Sequence, residues 1–124
     1  MFDQDDAAFS KPGGEACGAA PARPIDLAHL ARQTMDDRDL EREVLSLFVQ
    51  QALSVRDKIL DADATQRRAL AHGLKGAARG VGAMAIAEWA ERAEEHPQDL
   101  RHLRRLAGLI RRVRRFIAAI DRWS

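Results

Sequence analysis

The composition of this 124-residue chain is that of one helical domain, because 46% of the residues are hydrophobic, 31% are charged, only 5% are aromatic, and tyrosine is absent. The single cysteine, Cys17, excludes an internal disulfide and a cysteine-rich zinc site. The net charge is only +1, no apolar run approaches the ~20 residues that cross a bilayer, and the N-terminus is acidic where a secretory signal is basic. We therefore expect a cytoplasmic protein without a membrane segment.

The first 24 residues differ in composition from the rest of the chain. They combine an acidic start with several glycines and with prolines at positions 12, 21 and 24, and they show almost no apolar periodicity. This composition predicts a flexible N-terminal tail over residues 1–24. Phe2 and Phe9 could anchor the tail on the folded body or on a partner. The folded domain is expected over residues 25–124.

Two helices are predicted at the start of the domain. Asp26 can cap a short helix that ends near Met35, and Asp36 or Asp37 can cap a longer one that ends near Leu60. The apolar face expected of the longer helix consists of Leu40, Val44, Leu47, Phe48, Gln51, Val55 and Ile59.

Three more helices follow. Residues 61–65 supply caps for a third helix, which should stop between Gly80 and Gly82 because glycine tolerates left-handed closing turns. A fourth helix is predicted over residues 83–95. Its packed side chains should be Met84, Ile86, Ala87, Ala90 and Ala93.

The sequence His96-Pro97 ends the fourth helix, and Pro97 suits the first turn of a fifth that runs from about Gln98 to Arg122. The apolar seam of the fifth helix contains Leu103, Leu106, Ile110, Val113, Ile117 and Ile120, widened by Leu109 and Phe116. Four long helices with short connections predict an all-α, antiparallel up-down-up-down four-helix bundle, preceded by one short helix.

The third helix has two faces of different chemistry. The inward face is predicted to contain Leu70, Leu74, Ala77, Ala78 and Val81. The solvent-facing stripe is predicted to contain Arg68, His72, Lys75, Gly76 and Arg79. A neutral imidazole has one ring nitrogen with a free lone pair, which can attack phosphorus without a separate base. The cations beside it could stabilise phosphoryl oxygens, and Gly76 leaves room for a docking partner.

The run from Ala71 to Ala83 resembles the signature of histidine-containing phosphotransfer (HPt) domains. That signature is matched by Ala71, His72, Leu74, Lys75, Gly76, Gly82 and Ala83. The likeness continues downstream in Ile86-Ala87, Ala90 and Ala93-Glu94, and upstream in Leu47-Phe48. Ala93 stands where a larger aliphatic residue is usual, and Gly73 and Gly80 are glycines that the pattern does not require.

The resemblance implies a phosphorelay intermediate. His72 would accept a phosphoryl group, on Nε2 by family likeness, from the phospho-aspartate of one receiver domain and pass it to the aspartate of another. Lys75 and Arg79 would support the phosphoryl group, and Arg68, Ala69 and Gly76 would contact the partner. The implied partners are response-regulator receivers and a (hybrid) histidine kinase. The chain would be a phosphocarrier without kinase activity or a cofactor of its own, because Mg²⁺ would belong to the receiver. We expect a monomer, although the long apolar seam of the fifth helix also permits a dimer.

Two other functions fit the same residues. One is an interaction module that occupies a receiver or a kinase without being phosphorylated. The other is a nucleic-acid-binding bundle, because residues 98–124 carry 8 basic and 2 acidic side chains while residues 1–64 carry 7 basic and 13 acidic ones. A solvated helix face is the simpler explanation of these arginines. His29, His96 and His102 lack the i, i+4 spacing of a helical metal site, so we predict no metal.

Overall fold

The computed structural model describes residues 23–123, and within them every regular element is a helix. Residues 1–22 of the predicted tail, which include Phe2, Phe9 and Cys17, lie outside the described residues. The five helices are α1 (Leu27–Gln33), α2 (Arg38–Ile59), α3 (Ala64–Val81), α4 (Met84–Glu95) and α5 (Leu100–Trp123). The all-α class and the short additional first helix are thereby confirmed.

Three of the helices begin at aspartates: Asp26 as predicted, Asp37 as one of the two predicted candidates, and Asp63 within the predicted segment 61–65. The side chain of Asp26 accepts the backbone N–H of His29 at 3.1 Å, and that of Asp37 accepts the N–H of Leu40 at 3.1 Å. Asp63 accepts the N–H of Gln66 at 2.8 Å. Such contacts satisfy amide donors that have no partner inside a helix.

The first helix is shorter than predicted, since it ends at Gln33 and not near Met35. The hydroxyl of Thr34 donates to the carbonyl of Leu30 at 3.0 Å, while Met35 and Asp36 adopt positive φ angles of 52° and 62°. A left-handed backbone cannot continue a right-handed helix. These two residues therefore separate α1 from α2.

The four long helices enclose one hydrophobic core. Helix α2 contacts α3 and α5, α4 contacts the same two helices, and α1 lies against α3. The largest fully buried side chains are Ile25, Leu30, Leu74, Ile86, Leu103 and Leu106. The predicted seam of α5 is largely confirmed, because Leu103, Leu106, Ile110, Val113 and Ile117 are buried.

The predicted apolar face of α2 was wrong in part. Leu47 is 59% exposed, and Leu40 and Gln51 are exposed as well, whereas Leu45 and Ala52 are buried. Apolar residues occur at both 44–45 and 47–48, so the periodicity is compatible with two adjacent faces. The core takes the row Leu45, Phe48, Ala52, Val55 and Ile59, which leaves Leu47 in solvent.

Two details of the later helices also differ from the predictions. Met84 is the first residue of α4 and is 46% exposed instead of packed. Helix α5 begins at Leu100, so Pro97 lies in the preceding turn and not in the first turn of the helix. The carboxylate of Asp99 accepts the backbone N–H of Arg101 at 3.0 Å and also binds its guanidinium at 2.9 Å. The hydrogen bond from the Arg101 side chain lowers the pKa of Asp99 to about 2.

Gly82 closes α3 in the left-handed conformation that the sequence predicts, with φ at 85°. The backbone of Asp26 passes against it, so that a Cβ atom at this position would lie 2.9 Å from the Asp26 carbonyl oxygen. The N–H of Asp26 donates to the Gly82 carbonyl at 2.9 Å. The start of α1 is thereby held against the turn between α3 and α4.

Arg67 joins two other parts of the chain. Its Nε donates to the carbonyl of Ile59 at 2.9 Å, and its Nη2 donates to that of Leu60 at 2.7 Å, at the end of α2. Its Nη1 donates to the carbonyl of Pro97 at 3.0 Å, in the turn before α5. One guanidinium thus satisfies three carbonyls.

Candidate functional site

Helix α3 presents His72 to solvent because its other side is fixed in the core. Ala71, Leu74 and Ala78 are fully buried, and Val81 is nearly so. The capping box at its start, in which the Asp63 N–H also donates to the Gln66 side chain at 3.2 Å, fixes where the helix begins. The position of His72 on the opposite side leaves 69% of its side chain exposed.

A carboxylate from α4 bridges the histidine and the lysine one turn away. Glu94 Oε2 lies 2.9 Å from His72 Nδ1, and Glu94 Oε1 accepts a hydrogen bond from Lys75 Nζ at 2.7 Å. The Glu94 side chain is only 27% exposed and that of Lys75 only 17%. The hydrogen bond from Lys75, assisted by that from His72, lowers the pKa of Glu94 below its ordinary value of 4.5. The carboxylate is therefore ionised at neutral pH.

This contact favours one tautomer of the neutral imidazole. An ionised carboxylate can only accept hydrogen bonds, so Nδ1 carries the proton in the neutral ring. The lone pair is then on Nε2, for which the described part of the chain provides no hydrogen-bond partner. The arrangement presents an exposed ring nitrogen with its lone pair available to an electrophile.

The remaining predicted site residues lie around His72. Arg79 is exposed and its Nη2 donates to Glu91 Oε1 at 3.2 Å, while Arg68 and Ala69 are exposed one turn before the histidine. Apart from its chain neighbours and the backbone of its own helix, no described heavy atom lies within 4 Å of the position that a Cβ on Gly76 would occupy. Close approach of another helix is therefore not the reason for this glycine.

Two residues of the site, Lys75 and Glu94, differ from the predictions. Lys75 was predicted to point into solvent, but its side chain is largely covered and held by Glu94. Glu94 itself was not predicted as a site residue. Its signal in the sequence was the match of Ala93-Glu94 to the downstream part of the family pattern, which gave no indication that the carboxylate contacts the imidazole.

The other histidines do not form a metal centre in the described residues, where no group of three or more His, Cys, Asp or Glu side chains could hold a metal ion. His102 packs beside His96 and Trp89, with ring centroids 5.8 Å apart in both pairs. No helix within residues 23–123 combines the length and the apolar composition required to cross a membrane.

A helical bundle whose wall carries an exposed histidine, with a carboxylate on its Nδ1 and a lysine on the same carboxylate, has a geometry that suits a carrier of phosphoryl groups. The family model described as Hpt domain matches residues 39–123, which is most of the chain. The chain belongs to the Hpt domain family.

Membership of this family implies histidine phosphotransfer in two-component systems, with receiver domains and histidine kinases as interaction partners. Hpt domains are phosphocarriers and not catalysts. No curated protein sequence and no solved structure matches the chain significantly.

Proposed function

We propose that His72 is the phosphoryl acceptor of a phosphorelay, taking the group from the phospho-aspartate of one receiver and delivering it to the aspartate of another. The observation that carries this proposal is the exposed imidazole whose Nδ1 is engaged by Glu94 at 2.9 Å, which directs the lone pair to Nε2. Membership of the Hpt family supplies the reaction class.

The transfer is a displacement at phosphorus. The Nε2 lone pair forms the new N–P bond while the P–O bond to the aspartyl carboxylate breaks, and the carboxylate leaves with the electron pair. The ring then carries both the phosphoryl group and the Nδ1 proton, so its positive charge lies beside Glu94. Attack by the aspartate of a second receiver on the same phosphorus returns the lone pair to Nε2.

The two cations near His72 are proposed to offset the charge of the phosphoryl group. Lys75 Nζ is already aligned by Glu94 at 2.7 Å, and Arg79 is exposed on the next turn of α3. Mg²⁺ and the acidic pocket belong to the receiver, so the chain requires no cofactor of its own for this step.

The receiver is proposed to dock on the exposed surface of α3 around His72. Arg68, Ala69 and Gly76 are exposed, and the open space above Gly76 lets a partner backbone approach. The surface continues onto α2 through Gln51, whose Nε2 lies 3.7 Å from a Cβ built on Gly73, and includes the exposed Leu47 one turn earlier.

We further propose that the bundle has antiparallel up-down-up-down order and acts as a cytoplasmic monomer. The pairing of Arg79 with Glu91 and of His72 with Glu94 favours opposite directions for α3 and α4. The bonds from Arg67 to the end of α2, together with the approach of Gln51 to Gly73, favour the same for α2 and α3. A core that closes within one chain supports the monomer.

A phosphotransfer assay tests the acceptor directly. The full chain is incubated with a receiver carrying a radiolabelled phosphoryl group, and acid-labile label is measured on the wild type, on His72→Gln and on the control His96→Gln. We expect label on the wild type and on the control, and none on His72→Gln. Label on His72→Gln, or no label on the wild type across a full panel of receivers, would contradict the proposal.

The same samples separate the alternatives. An unphosphorylated interaction module would bind a receiver without acquiring label. A nucleic-acid-binding bundle would bind duplex DNA with steep salt dependence and would be indifferent to the His72→Gln substitution.

A further inference from the structure

A groove with an apolar floor lies between α4, α5 and the segment that leads into α1. Its volume is about 640 Å³. Leu109 and Ile86 are buried at its floor, whereas Trp89 is only half-buried and Met84 is 46% exposed. Apolar surface in the groove is therefore open to solvent, where covering it would be favourable.

The rim of this groove is positively charged. Arg23, Arg105 and Arg112 line it and are exposed, while Asp26 is the one acidic residue among its described lining residues and accepts the N–H of His29. Among the described residues, neither Arg105 nor Arg112 has a carboxylate within salt-bridge distance. The Arg105 guanidinium instead lies 5.7 Å from the ring centroid of Trp89. The groove thus places the Trp89 ring near arginines that have no carboxylate partner in the described part of the chain.

The chain that precedes the described residues has the complementary chemistry. The described part begins at Arg23, which itself lines the groove. Before it, residues 1–22 contain two phenylalanines and four acidic side chains but only one basic one, Lys11. Those groups are Phe2, Asp3, Asp5, Asp6, Phe9 and Glu15.

The segment is tethered at the groove itself, because Arg23 follows it directly and lines the groove. Phe9 precedes Arg23 by fourteen positions, and a coil of that length has an end-to-end distance of roughly 20 Å. A tethered ligand of this kind experiences an effective concentration on the order of millimolar. A second copy of the chain would have to reach that concentration in solution to compete.

We propose that residues 1–22 dock in this groove of their own chain, with Phe9 on the apolar floor beside Trp89 and the acidic residues at the start of the segment facing Arg105 and Arg112. The docked segment leaves the phosphotransfer site open. Trp89 and Glu94 are about 140° apart around α4, and none of the residues that contact His72 lines the groove. The inference is therefore independent of the proposed function.

A paramagnetic label tests the docking in the full chain. Cys17 is replaced by serine, Ser10 is replaced by cysteine, and a nitroxide is attached there, next to Phe9. We expect loss of amide NMR signal at groove residues, including Met84, Trp89 and Arg112, and retained signal around His72. If no signal is lost, or if the loss is spread evenly over the domain, the proposal is overturned.

Matched variants identify the contacts. Phe9→Ala and Arg112→Glu should each restore the groove signals, while Arg114→Glu should not, because Arg114 is an exposed arginine of α5 that does not line the groove. Raising the salt concentration should also weaken the effect, since the charges are exposed. If the groove signals are still lost in Phe9→Ala, or in an Arg112→Glu variant whose dispersed spectrum shows that it is folded, the proposal is overturned. A further control mixes isotope-labelled protein that carries no nitroxide with nitroxide-labelled protein that carries no isotope. Signal loss at the groove in this mixture would identify a second copy as the occupant and would overturn the proposal.

Discussion

Glu94 is the residue that gives the exposed imidazole a defined chemical state. It contacts His72 Nδ1 at 2.9 Å and Lys75 Nζ at 2.7 Å through different carboxylate oxygens. Spacing along α3 predicts that His72 and Lys75 share a stripe, but no periodicity within one helix indicates which residue of another helix meets that stripe. The family pattern includes Glu94 but gives it no role. Its contact with His72 forms only when α3 packs against α4.

Replacing Glu94 with glutamine should slow phosphotransfer while leaving the fold intact. Glutamine keeps the size of the side chain and can accept from Nδ1, but it removes the charge that offsets the developing imidazolium and that aligns Lys75. We expect about a tenfold lower rate, equivalent to ~1.4 kcal/mol in the barrier. Glu88→Gln is the matched control, because Glu88 is an exposed residue of α4 that pairs with Arg92. Equal rates for wild type and Glu94→Gln would contradict this role.

The lowered pKa of Glu94 also sets the sign of a pH effect. Lys75 and His72 stabilise the ionised form in the folded protein, so the bridge contributes stability above the ordinary pKa of 4.5 and loses it as the pH falls through the lowered value. The wild type should therefore lose more stability than Glu94→Gln on acidification below pH 4.5. Chemical unfolding at a series of pH values measures this difference. A wild-type advantage over Glu94→Gln that stays constant or grows as the pH falls below 4.5 would have the wrong sign.

Gly80 lies in α3 and Gly82 in its closing turn, and replacing each with alanine should change the free energy of unfolding in opposite directions. At Gly82, φ is 85° and a Cβ would meet the Asp26 carbonyl oxygen at 2.9 Å, so Gly82→Ala should lower the free energy of unfolding by at least ~2 kcal/mol. At Gly80 there is open space and helical backbone, so Gly80→Ala should raise it by about 0.5–1 kcal/mol.

Urea unfolding of the two variants checks these expectations against the wild type. A Gly82→Ala variant as stable as the wild type would mean that the turn relaxes at no cost. A destabilised Gly80→Ala variant would mean that this part of α3 contacts something outside the described residues.

At the scale of the helices, the sequence predicted where helices occur more accurately than which face of each helix is buried. The cap at Asp26 was predicted correctly, and the cap at Asp63 and the closing turn at Gly82 fall within the predicted segments 61–65 and 80–82, because capping and left-handed closure are local chemistry. The inward face of α2 was partly wrong, because Leu47 and Leu45 both fit a helical period and only packing against other helices distinguishes them. Leu47 is therefore exposed and contributes to the proposed docking surface.

For the whole molecule, Arg67 is the side chain that ties distant parts of the bundle together. Its three hydrogen bonds join the end of α2 to the turn between α4 and α5. Arg67→Met keeps much of the side-chain length but leaves the carbonyls of Ile59, Leu60 and Pro97 without this donor. The loss should be about 2 kcal/mol in the free energy of unfolding.

Arg68→Met is the control for this prediction, because Arg68 is the adjacent and exposed arginine. Its effect on stability should stay within ~0.5 kcal/mol of the wild type. Thermal and urea unfolding of both variants provide the comparison. Equal stabilities for Arg67→Met and Arg68→Met would show that the three bonds contribute nothing net over hydration of the carbonyls.

The contact between Asp26 and Gly82 has a consequence for the order in which the chain assembles. Helices α3 and α4 are neighbours in sequence, and they share the most extensive helix contact of the bundle. The backbone bond from Asp26 to Gly82 spans 56 positions and needs the α3–α4 turn to exist first. Because distant contacts form only after the loop between them has been closed, α1 should dock late in folding. By the same reasoning it should detach early, so its amides should exchange with solvent faster than those of α3.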